Sequence, residues 1–494
     1  MACVERPVSI VHLALWRDAV VTSLGKLCGM LTNTKAAKGS SSPASDGLPP
    51  ERRRWAVAAI FTALAMASLD TAIANIALPA IAADLAVSPA DVVWVVNIYQ
   101  IALVATLLPL GALGEIVGHR RIYLGGLLLF TLASLGCALA WSLPSLLIAR
   151  ALQGLGASGI MSVNSALIRF VYPSRLLGRG FGHNALVVAT AFTLGPTIAS
   201  GILALGPWPW LFAVNIPFGL IAIGIGLKTL PPTPRAVHAF DFPGALLAAS
   251  CLGLFILGIG SAAHEASPGV VTTELAAAIV LGLLLIRRQA DHPAPMLPID
   301  LFRRPMFALS AATAVCSFSV QGLAFVSLPF YFEDILQRTQ VETGFFMTPW
   351  PLVVAIMAPI GGRLSDRHSA GVLGGLGLVL LGIGMVLLAT LPASPSVANI
   401  VWRMVICGLG FGFFQTPNIR AIMSSAPSDR SGGASGIVAT ARLTGQTIGA
   451  ALAALCFALA GRDGATLALA LGAGFAAIGS VLSFLRLAVA PKKA

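Results

Sequence analysis

The sequence predicts an all-α polytopic membrane protein, and three observations carry that prediction. Of its 494 residues, 57% are hydrophobic and only 10% charged, with a mean hydropathy of +0.89; so little polarity cannot cover a soluble globule of this length. From Arg52 onward, apolar runs of about 20 residues, the length that crosses a bilayer, recur between short polar breaks. The basic residues favour alternate breaks, as they do when Lys and Arg are retained on the cytoplasmic side.

Fourteen such runs are centred near residues 67, 102, 130, 156, 191, 218, 251, 279, 319, 353, 382, 410, 447 and 476. With the amino terminus inside, the inner segments collect Arg52, Arg53, Arg54, Arg120, Arg121, Arg287, Arg288, Arg303, Arg304, Arg363, Arg367, Lys492 and Lys493 among others. The outer loops hold only Arg338 and Arg462. A miscounted helix would scramble this alternation, so both termini are predicted to be cytoplasmic. The net charge of +12 lies largely in these loops, where it sets topology, and nucleic acid is set aside as a partner. Seven cysteines show no CxxC pair and no Cys/His cluster of zinc spacing, so they read as small apolar packing residues and no metal is implied. The 51 glycines suit close helix packing in lipid.

Residues 1–50 differ from the rest. The stretch VSIVHLALWRDAVV is interrupted by Arg17 and Asp18, too short for a span, and TKAAKGSSSPASDGLPP is a linker by composition. The expectation is an interfacial or disordered tail, unless translation starts near Met30. Beyond it, an internal repeat is visible at an offset near 251 residues: GALGE around Glu115 aligns with GRLSD around Asp366, Asp91 with Glu342, and Pro144 with Pro395. Two repeats of six helices, 51–228 and 305–488, leave two spans in 229–304 as an insertion and 489–494 as a cytoplasmic end. Paired halves of this kind carry a substrate path between them and alternate access by rocking.

The first run holds MASLDTAIANIALP, residues 66–79, in which Asp70 stands alone among small and apolar neighbours. An Asp at the centre of a span costs about 2.5–3.5 kcal/mol on insertion scales. An acid merely hydrogen-bonded between helices leaves that cost unexplained; a site that binds and releases a proton accounts for it. In the fourth run Arg150 is as costly and stays charged. Asp70 lies nine residues before Pro79 and Arg150 six after Pro144, about 13 Å and about 9 Å from the same side at 1.5 Å per residue. The two can pair if helices 1 and 4 are neighbours. Burial disfavours a carboxylate and a nearby guanidinium favours it, so motion of one relative to the other would bind and release a proton.

GALGEIVGHRR, residues 111–121, resembles the loop between helices 2 and 3 of major facilitator transporters, with Gly111 and Gly118 permitting a tight, close-packed turn. The resemblance makes Glu115 and Arg120 parts of a cytoplasmic gate latch, with Asp366 as their counterpart in the second half. Here Glu115 replaces the usual Asp, and Ile116 and His119 replace usual basic residues. ARALQGLGAS, from Ala149, resembles the R-x-x-Q-G motif of helix 4 in proton-coupled antiporters and carries Arg150 and Gln153. LGPTIASG, residues 194–201, is similar to an antiporter segment of helix 5, in which Gly195, Pro196 and Gly201 form a hinge.

LDTAIANIALP, WVVNIYQ (94–100), WLFAVNIPFG (210–219) and SGIVATARLTGQTIG (435–449) look like signatures of the fourteen-helix drug/proton antiporter branch of that superfamily. The resemblance covers nearly everything after residue 50. It implies the major facilitator fold, two six-helix bundles plus two inserted helices. It also implies proton-coupled efflux of small lipophilic or cationic compounds across a bacterial inner membrane. No enzymatic activity and no cofactor follow from it; the partners implied are a small-molecule substrate, protons and the lipid bilayer, with the protein as a monomer. Candidate cavity residues are Tyr99, Gln153, Arg442 and Phe414. Asp70 is the one acid expected in the membrane interior, while Arg403 and Arg442 lie in the second half. Such a cavity suits neutral, zwitterionic or anionic compounds as well as monovalent cations. The rival readings are a narrow-specificity importer or metabolite exporter, and a membrane receptor or enzyme. Against the last stand the lack of a Walker sequence, a G-x-S-x-G elbow and an HExxH pair.

Overall fold

The computed structural model describes residues 47–236, 240–263, 267–290, 299–365, 367–392, 394–426 and 431–489, and among them there is no strand. The first six long helices are α1 Pro50–Leu85, α2 Pro89–Val117, α3 His119–Ala138, α4 Leu143–Val171, α5 Leu177–Leu205 and α6 Pro209–Thr229. Then come α7 Phe242–Ala263 and α8 Pro268–Ala290. The remaining six are α9 Pro305–Ile335, α10 Gln340–Leu364, α11 Ala370–Ala389, α12 Val397–Ser425, α13 Ser431–Ala460 and α14 Gly464–Val489. Thirteen stretches are long and apolar enough to cross a membrane, and the last, Gly436–Val489, contains both α13 and α14 with the tight turn Gly461–Asp463 between them. Among the described residues fourteen helices are therefore of spanning length, consistent with the fourteen apolar runs.

The helix starts follow from capping side chains. Ser88 begins α2, its hydroxyl accepting from the Asp91 backbone N–H at 3.1 Å, with Pro89 in the first turn. Thr339 begins α10 with a capping box closed by Glu342, bonds of 3.2 and 2.9 Å. These are the residues the repeat aligns, so the equivalence of Asp91 and Glu342 has a physical basis: each holds the third position of a capped first turn. Ser142 and Ser145 close a capping box on α4, and Ser396 caps α12. One expectation needs correction: α1 runs on through Pro79 to Leu85. Pro79 is internal, and Asp70 lies deeper beneath that helix end than the reading with Pro79 as the boundary placed it.

Packing repeats as well. In the first half α1 lies against α5 and α6, α2 against α4, and α3 against α4 and α6; in the second, α9 lies against α13 and α14, α10 against α12, and α11 against α12 and α14. The closest crossing shows the repeat atom by atom. A Cβ at Gly126 of α3 would sit 2.8 Å from the Gly159 Cα of α4, and one at Gly377 of α11 would sit 2.7 Å from the Gly410 carbonyl oxygen of α12. In lipid, where apolar burial separates nothing from anything, such small-residue contacts supply the packing that holds helices together. The inserted helices α7 and α8 pack on each other, and α7 also lies against α2 and α13.

Between the two sets of six, α5 meets α10. The Ser200 hydroxyl donates to the Gln340 carbonyl at 2.9 Å, the Thr197 and Thr348 hydroxyls are 2.9 Å apart, and a Cβ at Gly344 would come within 2.7 Å of the Pro196 carbonyl oxygen. The first turn of α2 also touches α13. These contacts lie toward the face opposite the Arg-rich loops and hold the two sets of six together there. A crevice of about 590 Å³ remains at that face, lined in part by Ser88, Asp91, Phe330, Asp334, Phe457 and Arg462.

Candidate functional site

The polar centre of the first six helices is built around Asp70. It lies midway along α1 in an Ala-rich stretch, 3% exposed, with donors from α4 and α6 on its carboxylate and groups from α2 and α3 behind them. From α4, Arg150 donates through Nη1 to Asp70 Oδ2 at 2.5 Å and is itself fully buried. One turn on, Gln153 donates from Nε2 to Asp70 Oδ1 at 2.9 Å, and its Oε1 accepts from Arg150 Nη1 at 2.6 Å. From α6, Asn215 donates from Nδ2 to the same Oδ1 at 3.1 Å. From α3, the Ser134 hydroxyl accepts from Gln153 Nε2 at 2.9 Å, and the Cys137 sulfur lies 3.5 Å from Gln153 Oε1. From α2, the Val95 carbonyl accepts from Arg150 Nε at 3.0 Å.

Two aromatic rings complete the enclosure. The Arg150 guanidinium carbon sits 4.2 Å from the Tyr99 ring centroid and 5.3 Å from that of Phe212, distances at which a ring quadrupole attracts a cation. Tyr99 is held in place by its hydroxyl, which donates to the Ala67 carbonyl at 3.3 Å. The spacing Arg150–Gln153 puts both side chains on one face of α4, so a single helix presents the cation and the amide that share the carboxylate. Three donors on two oxygens satisfy the charged carboxylate, whereas Arg150 Nη2 is buried without a partner. The pair is thus dry, and moving either helix would strip the carboxylate of its compensating charge.

The structure brings Asp70, Arg150, Gln153 and Tyr99 together. Asn215, Ser134 and Phe212 belong to the same cluster and were not singled out from the sequence. Asn215 lies inside WLFAVNIPFG, where a lone amide in a span was the available signal. Arg442 of α13 stands within electrostatic reach of Tyr99. Phe414 does not join them: it is 1% exposed, packed on Phe411 with centroids 6.2 Å apart and close to Gly374 and Gly377 at the crossing of α11 and α12. Its bulk fills the contact that small residues open there. Gly195 is buried against α1, where a Cβ would sit 2.5 Å from the Ala72 Cβ, two residues from Asp70; α5 runs unbroken through Pro196. Gly201 is exposed with nothing near it.

At the α2–α3 turn, Gly118 adopts φ +107°, a conformation that favours glycine, and its N–H closes α2 on the Gly114 carbonyl at 3.0 Å. Gly111 lies beside Ser162 of α4. Arg120 donates to the Leu227 carbonyl at 2.5 Å in the last turn of α6, and the Glu115 carbonyl accepts from the Ala236 N–H at 2.8 Å. These bonds tie the turn to the end of α6 and the segment that follows it. Asp366, the expected counterpart, lies outside the described residues. Among the described residues no group of His, Cys, Asp and Glu is arranged to hold a metal.

The model of the Major Facilitator Superfamily matches residues 60–450. The chain is 48% identical over 445 residues to the Uncharacterized transporter YebQ of Escherichia coli, covering 90% of this chain and 97% of that one. It is 32% identical to the Riboflavin transporter RibZ of Clostridioides difficile over 82% of this chain and 89% of the relative. Multidrug resistance protein Stp of Mycobacterium tuberculosis is 31% identical over 79% of this chain and 73% of its own length.

Proposed function

The chain belongs to the Major Facilitator Superfamily, and from that premise we propose that it exports small lipophilic or cationic compounds against a proton gradient by alternating access. It is a multi-pass membrane transporter and not an enzyme. The observation that carries the finer reading is the dry pair at 2.5 Å between Asp70 and Arg150, shared with Gln153 and Asn215. A structural ion pair of this kind adds little stability over an apolar filling of the same shape. A carboxylate whose countercharge sits on a different helix is, by contrast, a proton site that helix motion can open and close. The resistance protein Stp and the branch signatures support drugs as cargo.

On this reading residues 51–228 and 305–488 are the two rocking bundles, 229–304 is the insertion between them, and the Arg-rich loops and both termini face the cytoplasm of a bacterial cell, the protein acting as a monomer in the inner membrane. The closed contact between α5 and α10 then lies on the outer side, and the passage faces inward. With the outer side open, Asp70 takes a proton from outside. After closure, substrate entering from the cytoplasm favours the paired carboxylate, and the proton leaves inward. Each charge moved inward contributes about 2.3 kcal/mol per 100 mV of membrane potential. Gly195 and Pro196 give α5 its close approach to α1 and its missing backbone donor, the pair of properties a moving helix needs beside Asp70. Glu115, Gly111, Gly118 and Arg120, with Asp366, form the inner latch.

The decisive experiment is Asp70→Asn in purified protein. Addition of a transported drug should release protons from the parent and none from the variant; unchanged release would refute the assignment. A second reading, narrow specificity for one metabolite, is favoured by the likeness to RibZ. A transport screen that finds a single exported or imported compound selects it.

A further inference from the structure

We infer that Arg442 of α13 is a binding residue for an anionic group, a carboxylate, sulfonate or phosphate, on the transported molecule. The inference deepens the efflux reading and rests on it for the word transported.

Three arginines within the spans of the second half are buried or half-buried, and their surroundings differ. Arg403 donates to the Asn399 carbonyl at 3.2 Å and to the Asn399 side chain, and stacks 4.8 Å from the Trp402 ring centroid. Arg486 donates to Ser310 Oγ at 3.1 Å, to Asn418 Oδ1 at 2.7 Å and to the Ser483 hydroxyl. Both are cradled by neutral oxygens of their own half. Arg442 has no such cradle: among the described residues its guanidinium makes no hydrogen bond, and its Nε is buried without a partner. Among the described residues its one electrostatic neighbour is Tyr99, and no carboxylate faces it. A guanidinium in the membrane interior is costly and cannot lose its proton. It persists where water, protein or a ligand supplies the missing acceptors, and here the protein does not.

Its position points to the ligand. Leu443, the next residue, packs in one cluster with Tyr99 and Leu103 of α2, and Thr447 donates to Gln100 Oε1 at 3.1 Å. Arg442 therefore stands where the two halves meet, within electrostatic reach of Tyr99. Its side chain is half-buried and within electrostatic reach of Tyr99, a fully buried residue of the other half, so its guanidinium faces the space between the halves and not lipid. Asp70 does not serve as its acceptor: the carboxylate is bonded to Arg150, Gln153 and Asn215. A planar guanidinium with unclaimed donors matches a carboxylate or sulfonate in bidentate geometry. The cargo this selects is a lipophilic molecule with one negative group, anionic or zwitterionic, in place of a bulky dication that a lone cation would repel.

The test compares two dyes on the purified full-length protein: fluorescein, which is anionic, and ethidium, which is cationic, each read by fluorescence polarisation. Arg442→Gln should lower the ratio of fluorescein to ethidium affinity about tenfold to a hundredfold, the worth of one charge-assisted contact. Arg442→Lys, which keeps the charge and loses the fork, should retain most of that ratio. An unchanged ratio in Arg442→Gln overturns the inference. So does a parent protein that binds and exports ethidium but no carboxylate, sulfonate or phosphate compound, and in that case the efflux reading stands. A parent that exports nothing under a proton gradient removes the efflux reading instead, while the ratio still decides what Arg442 binds.

Discussion

Removing the two ends of the central ion pair singly and together should give costs that do not add. Asp70→Asn leaves the buried Arg150 charge with Gln153 Oε1 at 2.6 Å and the Val95 carbonyl at 3.0 Å. Neutral acceptors replace part of the lost carboxylate, and the cost is about 3–5 kcal/mol, the same at every moderate pH because guanidinium does not titrate there. Arg150→Gln leaves a carboxylate with two amide donors at 2.9 and 3.1 Å. A carboxylate buried without its countercharge costs about 3–5 kcal/mol in turn. The double variant should lose less than the sum of the singles by about 2 kcal/mol or more. Unfolding of purified protein in detergent, followed for the parent and three variants, measures all of this. Additive costs would refute the idea that each group is the other's countercharge.

Three further outcomes follow from other contacts. Gly156→Ala should lower stability by about 1–3 kcal/mol, because its Cβ would lie 2.4 Å from the Phe130 nitrogen, whereas Gly125→Ala, with nothing within 4 Å, should leave the unfolding midpoint in place. Thr197→Cys combined with Thr348→Cys, whose parent hydroxyls are 2.9 Å apart, should crosslink under mild oxidation, stop transport and recover on reduction; transport that survives the crosslink would mean that α5 and α10 need not separate. Arg486→Met should cost about 1–3 kcal/mol through the stranded Asn418 and Ser310 while leaving drug-driven proton release intact, since its cradle lies wholly in the second half.

The fold was legible because a membrane removes most of the alternatives. Length, hydropathy and the placement of Arg and Lys are enough to count helices where every backbone group must be satisfied within its own helix. The pairing of Asp70 with Arg150 was legible for a related reason: two opposite charges at similar depth in lipid have few other partners. Its surroundings were not. Asn215 and Ser134 are ordinary polar residues, and only the crossing of α6 and α3 over α1 and α4 gives them a carboxylate and an amide to meet. Phe414 shows the converse, an aromatic in a glycine-rich span that suggests a cavity wall but fills a tight crossing. The depth read from Pro79 erred because proline ends helices in water far more strictly than among packed neighbours in lipid.

The inserted helix α7 lies against both α2 and α13, the helices joined by Gln100 and Thr447. On the efflux reading, a compound dissolved in the acyl chains meets a wall on that flank of the molecule, and the extra pair of helices leaves it to approach from elsewhere along the lipid belt.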